Sequence, residues 1–116
     1  MPPGKTNPGF MTGVPELLIL RLLADRKMYG YELVQAIHDA TGEAIKVGEG
    51  VVYPILHTLE QHGCLKGHRK SVNRRTRVYY TTTSGGKTRL GVIVGEWSRI
   101  TRAVSNVVKG ARHAIA

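Results

Sequence analysis

Residues 48–83 read GEGVVYPILHTLEQHGCLKGHRKSVNRRTRVYYTTT, and the period of the apolar side chains changes partway through. Val52, Ile55, Leu56 and Leu59 fall at i, i+3, i+4 and i+7, the spacing of one helical face. This predicts a helix from about Gly48 to His62, stopped by Gly63. Its other face carries Gly50, Tyr53, His57, Glu60 and Gln61. Pro54 lacks an N–H, so it is expected near the first turn or at a bend. After Gly63 the period falls towards two. Cys64–Lys70 and Arg77–Thr83 are strand-like, and Ser71–Thr76 forms the tip of a β-hairpin. Lys66, Arg69, Lys70, Arg74, Arg75 and Arg77 all belong to this hairpin, and no acid occurs between Glu60 and Glu96.

Upstream, a helix begins near Pro15, a residue suited to a first turn because its missing N–H is not needed there. Leu17, Leu18, Ile19, Leu20, Leu22 and Leu23 make it apolar almost all round, which predicts a central, buried helix. Asp25–Met28 is the turn. A second helix follows from Gly30 to Ala40 and ends at Thr41-Gly42. Ala44–Val47 alternates weakly and fits either a short strand or part of the turn. Residues 1–13, rich in Pro, Gly, Thr and Asn, read as a flexible arm.

Downstream, Thr83 or Ser84 can cap a last helix running to about Ala111. Leu90, Ile93, Val94, Trp97, Ile100, Val104 and Val107 recur along it in two overlapping stripes. At 1.5 Å per residue such a helix is roughly 40 Å long, more than a domain of this size can cover. Its apolar face needs a second surface, and a copy of itself in a two-fold dimer is the simplest.

The chain has 116 residues, room for one domain, and a formal charge of +9. The charge is regional. Residues 1–60 hold five basic and seven acidic residues, whereas residues 61–116 hold twelve basic residues and one acid. The asymmetry points to a polyanion met by the C-terminal half. Val14–Ala24, the longest mostly apolar run, carries Glu16 and Arg21 and is far short of a membrane span. One cysteine and the absence of a secretory h-region fit a cytoplasmic setting. His62, Cys64 and His68 lack a fourth ligand, so no metal or other cofactor is expected. Gly48-Glu49-Gly50 is too short for a nucleotide loop, and no catalytic triad or carboxylate pair is in evidence, so an enzyme is not expected.

Three helices followed by a basic hairpin is the order of a winged helix-turn-helix. Particular residues then resemble the PadR family of bacterial transcriptional regulators. They are Tyr29-Gly30-Tyr31-Glu32-Leu33, the run from Gly50 to Gly63 with its Tyr53-Pro54 pair, Arg75-Thr76-Arg77-Val78-Tyr79-Tyr80, Thr83-Ser84-Gly85-Gly86, and Glu96-Trp97. The resemblance spans about Pro15 to Val108, and the single last helix resembles the short form of the family. Departures are Val51 and Val52 in place of the family's frequent Thr and Leu, and Arg74 where a Gly is common. The expected fold is therefore α+β, mainly α with a small β-hairpin. It divides into an arm (1–13), a winged helix-turn-helix DNA-binding domain (14–83) and a C-terminal dimerisation helix (84–116). The resemblance implies a homodimeric regulator, usually a repressor, on a palindromic site in double-stranded DNA.

The N-terminal end of the third helix is the expected reader of base edges, with Gly50 allowing close approach and Val51 offering a methyl contact. Tyr53 fits a DNA contact or packing beneath the wing. Lys46 and His57 fit phosphate or base contacts, or solvated surface. Arg69, Lys70, Arg74, Arg75 and Arg77 are the expected phosphate-binding set, with Arg75 and Arg77 on one side of their strand. Trp97 fits core or dimer interface; some relatives use such aromatics to sandwich planar small molecules, which would make it an effector contact. The alternatives to an operator-binding regulator are a basic RNA- or nucleoid-associated protein and a partner-binding helical module.

Overall fold

The computed structural model describes residues 13–115. The elements are α1 (Val14–Asp25), α2 (Gly30–Ala40), α3 (Glu49–Gln61), β1 (Leu65–Val72), β2 (Arg75–Thr82) and α4 (Ser84–Ile115). The segment read as a flexible arm lies, up to residue 12, outside the described residues.

The apolar wrap of α1 has its expected consequence. Pro15, Ile19, Leu20 and Leu23 are buried, and the helix contacts α2, α3, β2 and α4. Leu33 and Ile37 of α2 and Val52, Leu56 and Leu59 of α3 close on it, with Val47, Leu65 and Tyr80 completing the core. Ile55 packs against this core without being fully buried. Residues 41–48 between α2 and α3 form no strand. Instead the Thr41 hydroxyl donates to the Ile37 carbonyl at 2.7 Å and accepts from the Ile45 N–H at 3.1 Å. Pro54 lies in the second turn of α3, where it has no N–H to give the Gly50 carbonyl.

The hairpin is tighter than its sequence suggests. β1 and β2 pair in antiparallel register from Leu65 opposite Thr82 to Val72 opposite Arg75, leaving a turn of only Asn73 and Arg74. Both adopt positive φ, 49° and 65°, as a two-residue turn of the I′ kind requires. Met28 adds an isolated bridge on the other edge of β2: its N–H donates to the Tyr80 carbonyl at 3.3 Å, and its carbonyl accepts from the Tyr80 N–H at 2.9 Å. The turn between α1 and α2 thus becomes an edge of the wing sheet.

Thr83, not Ser84, caps α4. Its hydroxyl accepts from the Gly86 N–H at 3.0 Å and donates to the Gly63 carbonyl at 2.6 Å. Gly86 lies so close to the Cys64 carbonyl that a β-carbon there would collide with it. The helix then crosses α1, where Arg89 Nε donates to Glu16 Oε1 at 2.9 Å. Leu90 and Ile93, expected at the dimer interface, pack partly buried against their own protomer's core. The reason is position: these two turns still lie over the domain. Beyond Ile93 the helix continues to Ile115, past the expected end at Ala111, at about 48 Å overall.

Candidate nucleic-acid interface

The first turn of α3 has no side-chain cap, and its N-cap Gly48 accepts the Val51 and Val52 N–H groups at 3.1 Å each. Backbone donors at such an end attract phosphate oxygens. Gly48 and Gly50 stand clear of any neighbour, and Val51 is 43% exposed. Lys46, two residues before the N-cap, is exposed, as is His57 further along α3. Lys46, Gly48, Gly50 and Val51 thus stand open at the start of the helix, as entry of that end into a major groove requires.

Tyr53 is placed differently from its neighbours on that face. Its ring is half-buried and sits over Gly30 so closely that any β-carbon at residue 30 would collide with it. The ring thus packs against the start of α2. Its hydroxyl makes no hydrogen bond among the described residues, and burial, then the Glu49 charge, push its pKa upward. It therefore stays a protonated donor at neutral pH. The His57 ring lies 6.3 Å from it.

On the wing, residues opposite each other share a face. Leu65, Gly67, Val78, Tyr80 and Thr82 face the helices, and Arg69 continues that face towards the tip. Lys66, His68, Lys70, Arg75, Arg77, Tyr79 and Thr81 share the outer one. The shared side of Arg75 and Arg77 matches the strand alternation read from sequence. Arg69, Lys70, Arg74 and Arg75 are exposed, and none forms an ion pair among the described residues. Lys70 stands directly across from Arg77, an unfavourable like-charge pair that an anion between them would relieve.

Arg77 is half-buried. Its Nη1 donates to the Tyr29 hydroxyl at 3.0 Å, and its guanidinium carbon lies 4.5 Å from the Tyr29 ring centroid. Tyr29 in turn meets Tyr79 edge to face at 5.3 Å. Tyr29 begins α2, where its N–H donates to Glu32 Oε1 at 3.2 Å. Its contact with Arg77 is not legible in the sequence, where Tyr29 enters only through the family resemblance, because the two lie 48 residues apart. Tyr29, Tyr53, His57, Arg77 and Val78 line an open cleft of about 240 Å³ between α3 and the wing.

On α4, Val94, Trp97, Ile100, Val104 and Val107 are exposed, with Trp97 at 48% and Val107 at 73%. No His/Cys/Asp/Glu cluster able to hold a metal occurs among the described residues, and no helix there is long and apolar enough to cross a membrane. Cys64 is buried.

Against this geometry, residues 19–92 match the model of the transcriptional regulator PadR-like family. Among curated proteins, the chain is 32% identical over 81 residues to a transcriptional regulator of Mycobacterium tuberculosis, covering 70% of this chain and 73% of that one. Among solved structures, a transcriptional regulator from Clostridium thermocellum superposes with a TM-score of 0.79 at 26% identity, covering 84% of this chain and 96% of that one. A PadR family transcriptional regulator from Eggerthella lenta gives a TM-score of 0.78 at 26% identity and covers 86% of each chain.

Proposed function

The chain belongs to the transcriptional regulator PadR-like family, DNA-binding regulators rather than enzymes, and from that premise we propose that it is a homodimeric repressor of a palindromic operator. Residues 14–83 form the DNA-binding domain and 84–116 the dimerisation helix. The observation that carries this reading is the cleft that joins Tyr53 and His57 of α3 to Arg77 and Val78 of the acid-free basic wing. In the major groove, Gly50 and Val51 meet base edges, and Lys46 and His57 flank them. Arg69, Lys70, Arg74 and Arg75 meet phosphates. Arg77, held on Tyr29, and the Tyr53 hydroxyl serve a phosphate at the mouth of the cleft.

The dimer is built on Val94, Trp97, Ile100, Val104 and Val107. An isolated apolar strip of this size on a monomer calls for a partner, and an isologous contact places two recognition helices in two half-sites. A planar aromatic effector entering that interface would meet Trp97 from each protomer and alter the angle between the two domains.

Selection of DNA from a random pool by the purified protein tests the reading. The expected product is an inverted repeat whose half-sites are centred about one or two helical turns apart. Recovery of pools without a repeat, or equal binding of RNA and DNA competitors, would refute it.

A further inference from the structure

The outer face of the wing sheet carries a cationic recess that runs from Lys70 away from the wing tip to Lys27. Met28 pairs with Tyr80, so antiparallel geometry puts Lys27 beside Thr81, and β1 puts His68 opposite Tyr79. Lys27, His68, Lys70, Tyr79 and Thr81 line one hollow of about 330 Å³, which also touches Arg69 of the opposite face. Successive strand residues point to opposite faces, so this hollow lies on the far side of the sheet from the core that Leu65 and Tyr80 enter. Thr81 is six residues from Arg75 along an extended strand, roughly 20 Å from the wing tip.

The chemistry of the lining is one-sided. Lys27, His68, Arg69 and Lys70 are exposed and take part in no ion pair among the described residues. The acids around it are turned to other partners or to the other face: Asp25 pairs with Arg21 at 2.8 Å, Glu32 is bound by the Tyr29 N–H and faces Arg26 at 3.9 Å, and Glu60 lies across the sheet against Gly67. Lys70 Nζ stands 5.8 Å from the Tyr79 ring centroid, and Thr81 Oγ1 lies 3.4 Å from His68 Nε2. Two ammonium groups, an imidazole and a hydroxyl therefore converge beside an aromatic face. Gathering like charges in this way is unfavourable until an anion neutralises them. Donors in such a ring suit the several oxygens of a phosphate, and the ring of Tyr79 suits an attached planar group.

We propose that this recess binds a small phosphate-bearing molecule, its phosphate among Lys27, His68 and Lys70 and its organic part against Tyr79. The site shares Lys70 with the wing's phosphate-binding set and no residue with the end of α3 that reads bases. Because it joins the turn between α1 and α2 to both wing strands, its occupancy would stiffen the wing against the helices.

The test is isothermal titration of the full chain with inorganic phosphate and with adenosine monophosphate. Saturable binding is expected for both, tighter for the nucleotide because of Tyr79. Lys27→Ala and His68→Ala should each weaken it about tenfold or more, the effect of one charge-assisted hydrogen bond. Arg75→Ala, at the wing tip, should leave it unchanged. All three side chains are exposed, so circular dichroism melts should match the parent. In parallel, DNA binding of Lys27→Ala is measured against salt. A slope lowered by about two, one phosphate per protomer, together with no saturable nucleotide binding would assign these cations to flanking DNA phosphates and overturn the proposal. Nucleotide binding that Lys27→Ala and His68→Ala retain in full, or its absence at millimolar concentration, would overturn it as well. Neither result bears on operator recognition by α3, which the DNA selection tests separately.

Discussion

Replacing Arg74 with glycine should move stability and DNA affinity in opposite directions. Arg74 holds φ at 65° in the second position of the wing turn, after Asn73 at 49°. A side chain in the left-handed region costs about 1–2 kcal/mol, and asparagine followed by glycine is the preferred pair for such a turn. Glycine relieves that strain but gives back roughly 0.5–1 kcal/mol through the freedom it adds to the unfolded chain. The net gain is about 0.5–1 kcal/mol. At about 4–8 °C per kcal/mol for a domain of this size, Tm should rise by about 2–8 °C at equal protein concentration. The same change removes a cation from each wing tip of the proposed dimer, so the slope of log K against log salt should fall by about 1.8 in magnitude. Arg74→Lys separates the two effects, keeping both the charge and the strain. The assays are calorimetric melting and fluorescence anisotropy of a labelled duplex across a salt series. A lower Tm for Arg74→Gly would refute the turn geometry. An unchanged salt slope would refute phosphate contact by Arg74.

Tyr29→Phe removes the acceptor for Arg77 Nη1 while keeping the ring beneath the guanidinium, and should cost about 0.5–1.5 kcal/mol in chemical denaturation; no loss would mean that the contact is idle. Gly86→Ala drives a methyl into the Cys64 carbonyl and should cost about 1–3 kcal/mol or more, against a small gain for an alanine at an unhindered helical position such as Gly95. Val104→Glu, at an exposed site of the α4 stripe, should yield folded monomers in sedimentation, whereas Leu90→Glu should unfold the domain itself. Val51→Thr should alter base preference at one position of each half-site by on the order of 1–3 kcal/mol per wrong base, measured by competition over a half-site library; identical preferences would move base reading away from this end of α3.

Much of the fold can be read in the chain because its signals are local. The i, i+3, i+4, i+7 spacing of Val52, Ile55, Leu56 and Leu59 marks α3, and Tyr, Val and Thr alternation marks β2. The positions of the wing cations follow from the same alternation. Contacts made across the fold are silent in such patterns. Tyr53 lies on the polar side of its own helix, and only the approach of α2 at Gly30 shows why an aromatic ring belongs there. Arg77 reads as a free cation until Tyr29 is brought beneath it. Met28 reads as a turn residue, because a single sheet rung needs no run of β-formers. The stripe on α4 is continuous in sequence, so nothing in its period marks the turn after Ile93 where the surface below changes from the protomer's own core to open space.

The mounting of α4 carries a mechanical consequence. Its first turn is fixed at one corner by the Thr83 hydroxyl, bonded on both sides, and by the close seat of Gly86 on Cys64. One further turn along, Arg89 and Glu16 fix it again. A rod clamped at two points near one end cannot swivel separately from the block that holds it. From Ile93 to Ile115 it extends about 33 Å. A tilt of about 5° at the clamp therefore displaces the far end by roughly 3 Å, close to the rise of one base pair. In a two-fold pair joined through these rods, the distance between the two reading heads is a matter of angle, and the Thr83–Gly86 corner is where that angle is set.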